Sequence, residues 1–174
     1  MESFLKTVER RAFVIARINT KDEEEALDIV QDTMFTLVQK YSDRPVDELA
    51  PLFHTILYSK INDWHRKQKV RNRWRVFFGF GESDVQAEDT VPQEQFLEPD
   101  NYLQEIEINK SVLEAIKDLP TRQQQAVILR AWEGFSVAET AEIMKCSQGS
   151  VKTHYSRAVH SLRDKLGELI NERQ

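Results

Sequence analysis

The sequence predicts an all-α protein: two small helical domains joined by an acidic linker, the C-terminal one a helix-turn-helix. Three observations carry that expectation. Apolar residues recur at spacings of three and four along most of the chain, the period of a helix with one buried face. Only five glycines and five prolines punctuate 174 residues, too few for the tight turns of a sandwich or barrel. Charge is also unevenly divided. Lys60 to Arg75 holds seven Lys/Arg against one Asp, whereas Val76 to Asn109 holds no Lys or Arg and a run of acids.

The first helix lies in "ESFLKTVERRAFVIARI", where Phe4, Leu5, Val8, Ala12, Ile15 and Ala16 share a face. Asp22 caps the second helix, and Glu23, Glu24 and Glu25 favour its positive end. Its expected buried stripe is Leu27, Val30, Met34, Leu37, Val38 and Tyr41. "SDRPVDELAP", Ser42 to Pro51, carries two prolines and reads as a loop. A third helix follows from near Leu52 to near Arg71, with Phe53, Ile56, Leu57, Ile61 and Trp64 inward. These elements make a first domain, 1–76.

Residues 77–101 combine glycines, prolines and acids and read as a flexible linker, with Phe77, Phe78 and Phe80 awaiting cover. The second domain, 102–174, opens with an amphipathic stretch through Leu103, Ile106, Val112, Leu113 and Ile116. In "PTRQQQAVILRAWEG", Thr121 and Gln124 have capping-box spacing and Gly134 suits a helix stop. Ser136 and Glu139 form a second such pair before a short helix, and Lys145-Cys146-Ser147 turns the chain.

The last helix has two unlike sides. Val151, Tyr155, Ala158, Val159, Leu162 and Leu166 gather on one, at roughly 100° per residue. Thr153, Ser156, Arg157 and His160 occupy the other, with Lys152 at the border and no carboxylate before Asp164. A short capped helix, a tight turn and a longer helix with a small polar start outline a helix-turn-helix. In a major groove, cations and hydroxyls meet phosphates and base edges, where a carboxylate would be repelled.

Composition narrows the rest. Single Cys146 excludes an internal disulfide framework and fits a reducing, cytoplasmic setting. Charges interrupt Met1 to Ile18, so it reads as neither signal peptide nor membrane span, and no membrane insertion is expected. There is no Gly-rich phosphate loop or metal-spaced Cys/His set, and His154 and His160 stand six apart. Neither an enzyme nor a cofactor or metal is expected.

Leu119 to Leu166 closely resembles the C-terminal domain of bacterial sigma factors, through Leu-Pro, Glu-Gly-Phe-Ser, Ala-Glu-Ile-Met and Gly-Ser-Val-Lys. "LDIVQDTMFTLVQKY" is similar to the polymerase-gripping helix of that family, and "LFHTILYSKINDWHRKQ" to the helix reading the −10 element. The whole chain resembles the extracytoplasmic-function (ECF) subfamily.

The resemblance implies promoter-specific initiation with core polymerase, whose β′ clamp and β flap would be partners alongside promoter DNA and an anti-sigma factor. It implies clamp contacts from Asp28, Gln31, Asp32 and Gln39. Lys60, Asn62, Asp63, Trp64, Arg66 and Lys67 would read the −10 element, within a basic block that continues through Lys69, Arg71, Arg73 and Arg75. The family holds an extruded base near Ser42–Pro51. Gln148, Ser150, Lys152, Thr153, Ser156, Arg157 and His160 would read the −35 element. The linker would thread near the RNA path. The rival reading is a helix-turn-helix regulator that binds an operator as a dimer.

Overall fold

Helix α1 spans Glu2–Thr20, α2 Glu23–Tyr41 and α3 Val46–Phe77 in the computed structural model, which describes residues 1–77 and 110–171. Side chains at 74–77, 110 and 168–171 are outside that description. So is the segment 78–109, with the acidic linker, Phe78, Phe80 and the start expected near Tyr102; Phe77 ends α3. The rest comprises α4 (Lys110–Lys117), α5 (Thr121–Val127) running into a π-helical turn (Ile128–Trp132), α6 (Val137–Met144) and α7 (Gln148–Asn171).

Helices α1, α2 and α3 pack on one another around Ala12, Ile15, Ala16, Ala26, Val30, Leu37, Phe53, Leu57 and Ile61. The Asp22 carboxylate accepts the Glu25 backbone N–H at 3.0 Å, the expected cap. Two expectations fail here. The buried stripe of α2 is Ala26, Ile29, Val30, Thr33 and Leu37, while Leu27 and Val38 are exposed. Small Ala26 and Thr33 let α2 lie close to its neighbours, and the Thr33 hydroxyl is satisfied by Ile29 O at 2.6 Å. The helix therefore presents a face rotated from the one its larger side chains suggest.

The second failure concerns Ser42–Pro51. The loop is short, because α3 starts at Val46 and continues through Pro51. Pro51, the sixth residue of the helix, has no N–H to give the Asp47 carbonyl, and buried Leu49 anchors the added turn. The Thr55 hydroxyl bonds Pro51 O at 2.8 Å.

In the C-terminal half, α5, α6 and α4 pack against α7. Thr121 does not cap α5, a further correction: the N-cap is Pro120 and makes no side-chain bond. Pro120 O instead accepts the N–H groups of Gln123 (2.8 Å) and Gln124 (3.0 Å). The Gln124 side chain turns inward, donating to Ile116 O at 3.1 Å, and ties α4 to α5. The π-helical turn widens the end of α5, where Glu133 N–H bonds Ile128 O at 2.9 Å. Gly134 then takes φ +77°, a conformation that stops the helix without side-chain strain.

The Ser136–Glu139 capping box forms in full, with Ser136 N–H to Glu139 Oε2 at 2.8 Å and Glu139 N–H to Ser136 Oγ at 3.2 Å. Hydrogen bonds from the Ser136 hydroxyl and then its backbone N–H hold the Glu139 carboxyl below its ordinary value, outweighing burial. Lys145 adopts a left-handed φ of 52°, turning the chain into α7.

Ser136→Ala should lower stability by about 1 kcal/mol, read as a reduced urea midpoint at unchanged slope. Because Glu139 is depressed in the folded state, its contribution is present above the ordinary value of 4.5 and lost as pH falls through the lowered folded value. Titrating stability through that acid range should therefore show a smaller acid-dependent loss in Ser136→Ala than in the wild type.

Candidate nucleic-acid interface

The outward face of α7 is set by what its opposite face buries. Val151 and Ala158 are wholly buried, with Tyr155, Val159 and Leu162 partly covered. Gln148, Lys152, Thr153, Ser156, Arg157 and His160 therefore point to solvent. Ser150 is different, being half-buried with its hydroxyl 2.9 Å from that of Ser147. Ser147 Oγ also accepts the Ser150 N–H at 3.1 Å, so this pair closes the helix start. The Thr153 hydroxyl donates to Gly149 O at 3.0 Å and keeps its lone pairs outward. His160 Nε2 lies 3.5 Å from Asp164 Oδ2, where the cationic face ends.

Arg130 braces the other side of this module. Its guanidinium donates to Phe135 O and sits 5.9 Å from the Tyr155 ring centroid. Arg122 bonds Met144 O at 2.8 Å, tying α5 to the end of α6. Both arginines thus tie neighbouring elements of the helix-turn-helix together away from its polar face.

On α3, Asn62, Arg66 and Lys67 are exposed, as are Lys69, Arg71 and Arg73 beyond them; the Arg75 side chain lies outside the described residues. Lys60, Asp63 and Trp64 are half-buried. Lys60, Asp63, Trp64, Lys67 and Arg71 line one wall of a groove of about 450 Å³, and Glu25, Asp28 and Asp32 of α2 line the other. The structure thus brings together residues that the sequence assigns to two different partners. Lys60 Nζ is 3.4 Å from Asp32 Oδ2, and Arg66 pairs with Asp63 at 2.8 Å. Such solvent-accessible pairs are worth little and exchange readily for phosphate.

Trp64 packs edge-on to His65, with centroids 5.0 Å apart at 71°. Burial, and then the Lys69 charge, pushes the His65 imidazole below its ordinary value, so at neutral pH it adds no cation to the basic face. Trp64 Nε1 and His65 Nε2 find no protein partner.

Asp28, Gln31, Asp32 and Gln39 are all exposed on α2. The sequence reading missed what lies among them. Phe35 is 66% exposed, flanked by exposed Leu27 and Val38, which makes this face amphipathic rather than acidic alone. The available signal was that Phe35 falls off the apolar stripe, and a large aromatic off the stripe has no core to enter. His54, Tyr58 and Glu133 were likewise not singled out. His54 Nε2 lies 3.2 Å from Glu133 Oε2 where the N-terminal helices meet the C-terminal ones, and both side chains are buried. Burial, reinforced by the Glu133 charge, raises the Tyr58 phenol far above its ordinary value.

Among the described residues no helix is long and apolar enough to cross a membrane. Residues 109–162 match the family "Sigma-70, region 4". Relatives match over most of the chain. The RNA polymerase sigma-H factor of Pseudomonas aeruginosa is 29% identical over 162 residues, covering 87% of this chain and 78% of the relative. The ECF RNA polymerase sigma factor SigX of Bacillus subtilis is 26% identical over 155 residues, covering 87% and 75%. In fold, the chain is similar to the sigma factor RpoE of Bartonella quintana, solved with the anti-sigma factor NepR. The TM-score is 0.61 at 23% identity, over 96% of this chain and 98% of that one. The C-terminal match and the near full-length relatives agree: over most of its length the chain is similar to RNA polymerase sigma factors, ECF sigma factors among them.

Proposed function

We propose that this sigma factor reads its promoter through two surfaces, the outer face of α7 on the −35 element and the exposed wall of α3 on the −10 element. It binds RNA polymerase core and directs promoter-specific initiation, while the chemistry of RNA synthesis stays with the polymerase. The observation that carries the reading is the solvent face of α7, where Lys152, Thr153, Ser156, Arg157 and His160 stand together with no carboxylate before Asp164. Lys152 and Arg157 suit guanine edges or phosphates, and the hydroxyls suit either.

On α3, the exposed cations track phosphates, and Trp64 with Asn62 and Asp63 offers stacking and hydrogen bonding to unstacked bases. Helix α2 seats the β′ clamp through Asp28, Gln31, Asp32 and Gln39 around Phe35, and the C-terminal helices meet the β flap. The acidic segment between the two halves follows the RNA path. An anti-sigma factor is a further partner, as NepR is for the solved relative. The protein acts in the cytoplasm, where the polymerase is.

Run-off transcription with purified core on a promoter library tests the assignment. Lys152→Ala and Arg157→Ala should each relax preference at one −35 position by about 1–3 kcal/mol, roughly 5- to 150-fold. A loss spread evenly over all sequences would make them phosphate contacts instead. An operator-binding dimer would bind specific DNA without core, which this chain should not do.

Two further outcomes separate the surfaces. Lys67→Ala should reduce the slope of log affinity against log salt by about one on −10 DNA, without altering sequence preference. Phe35→Ala should weaken association with core on the order of tenfold to a hundredfold, in titrations by fluorescence anisotropy, while leaving stability nearly unchanged.

A further inference from the structure

Three hydroxyls lie along the first turns of α7, and the hydrogen bonds each has already made decide what it can still offer. Ser150 is half-buried with its hydroxyl 2.9 Å from that of Ser147, so it serves the helix start rather than the outer face. Ser156 is exposed, and its hydroxyl can donate or accept. Thr153 is exposed as well, but its proton is committed. The Thr153 oxygen lies 3.0 Å from Gly149 O, and a carbonyl has no hydrogen to give, so the hydroxyl is the donor. What Thr153 turns outward is therefore an oxygen able only to accept.

Its neighbours have the opposite character. Lys152 and Arg157, both exposed, carry donors only. The first carboxylate along α7 is Asp164, which stands 3.5 Å from His160. Among Lys152, Thr153, Ser156 and Arg157, Thr153 alone is restricted to accepting. Being uncharged, it can approach DNA where a carboxylate would be repelled.

An acceptor in the major groove has few matches. Guanine shows the acceptors N7 and O6, and thymine shows O4 and a methyl group. Only adenine and cytosine turn an exocyclic amine into the groove. Thr153 is the sixth residue of α7, in the N-terminal part of a recognition helix that meets base edges.

Building on the −35 reading of α7, we infer that Thr153 is a specificity-determining residue that accepts a hydrogen bond from the exocyclic amine of adenine or cytosine. Turning its proton outward to serve guanine or thymine forfeits the bond to Gly149 O, so those bases are disfavoured at that position. Arg157 lies about one turn further on, roughly 6 Å along the axis. Successive bases rise about 3.4 Å, so the base read by Thr153 lies within about two base pairs of the one read by Arg157.

The test uses holoenzyme reconstituted from the full chain and core polymerase, with affinity measured on promoters varied through the −35 element. Thr153→Val keeps the branched shape and the methyl but loses the hydroxyl, whereas Thr153→Ser keeps the hydroxyl. Thr153→Val should relax preference at one position holding adenine or cytosine, near the position that Arg157→Ala affects. Thr153→Ser should retain that preference. At the same position, purine in place of adenine, or 2-pyrimidinone in place of cytosine, deletes the amine. Base pairing weakens too, a loss that wild type and variant share. The wild type should lose about three- to tenfold more affinity than Thr153→Val. With adenine at the position, 7-deazaadenine removes the N7 acceptor and should cost both proteins equally.

A loss to 7-deazaadenine specific to the wild type, or a Thr153-dependent preference for guanine or thymine, means that the hydroxyl donates and overturns the proposal. A preference that survives in Thr153→Val is an apolar contact of the methyl and also overturns it. So does a loss spread evenly over all sequences, the mark of a phosphate contact. If Arg157→Ala still alters preference in any of these cases, the −35 reading of α7 stands without the proposal. A wild-type holoenzyme indifferent to −35 sequence overturns the reading and the proposal together.

Discussion

The orientation of α7 depends on burying two small faces of one helix, Val151 and Ala158. With these positions pinned against α5 and α6, the 3.6-residue period leaves no freedom in which side chains look outward. Lys152, Thr153, Ser156, Arg157 and His160 face solvent because their neighbours one third of a turn away do not. Everything that makes the C-terminal half rigid serves that orientation: the Ser136–Glu139 box, the left-handed Lys145, and Arg122 and Arg130 bonding backbone carbonyls across elements.

The N-terminal half solves a different problem. It must carry an acidic, partly apolar face and a cationic one on adjacent helices without the two neutralising each other. The groove between α2 and α3 shows the compromise, since Asp32 and Lys60 pair across it in a solvent-accessible position. Weak pairing of this sort keeps both side chains ordered and leaves each available to a partner of higher charge. Phe35 gives α2 an apolar anchor that carboxylates and amides alone lack.

The seam between the halves sets buried polar atoms among its apolar contacts. Glu133, His54 and Tyr58 at its centre each keep a buried atom without a protein partner, a cost that opposes the apolar packing around them. The π-helical turn and Gly134 aim that loop, so a local irregularity of α5 sets the position of a contact between distant parts of the chain.

What the sequence determined by itself was local. The helices, the Asp22 and Ser136 caps, the turn at Lys145 and the two faces of α7 all rest on interactions within four residues, which spacing and residue type express directly. The candidate contacts on α7 and α3 were legible in the same way, as polar positions opposite an apolar stripe. Tertiary structure decided the rest. It rotated the buried face of α2 onto Ala26 and Thr33, drew Gln124 inward in place of a cap at Thr121, and carried α3 through Pro51. It also joined His54 to Glu133 across 79 positions of sequence. Those outcomes turn on how closely two helices approach and on which distant atom satisfies a buried polar group, and neither quantity is written in the spacing of any one helix.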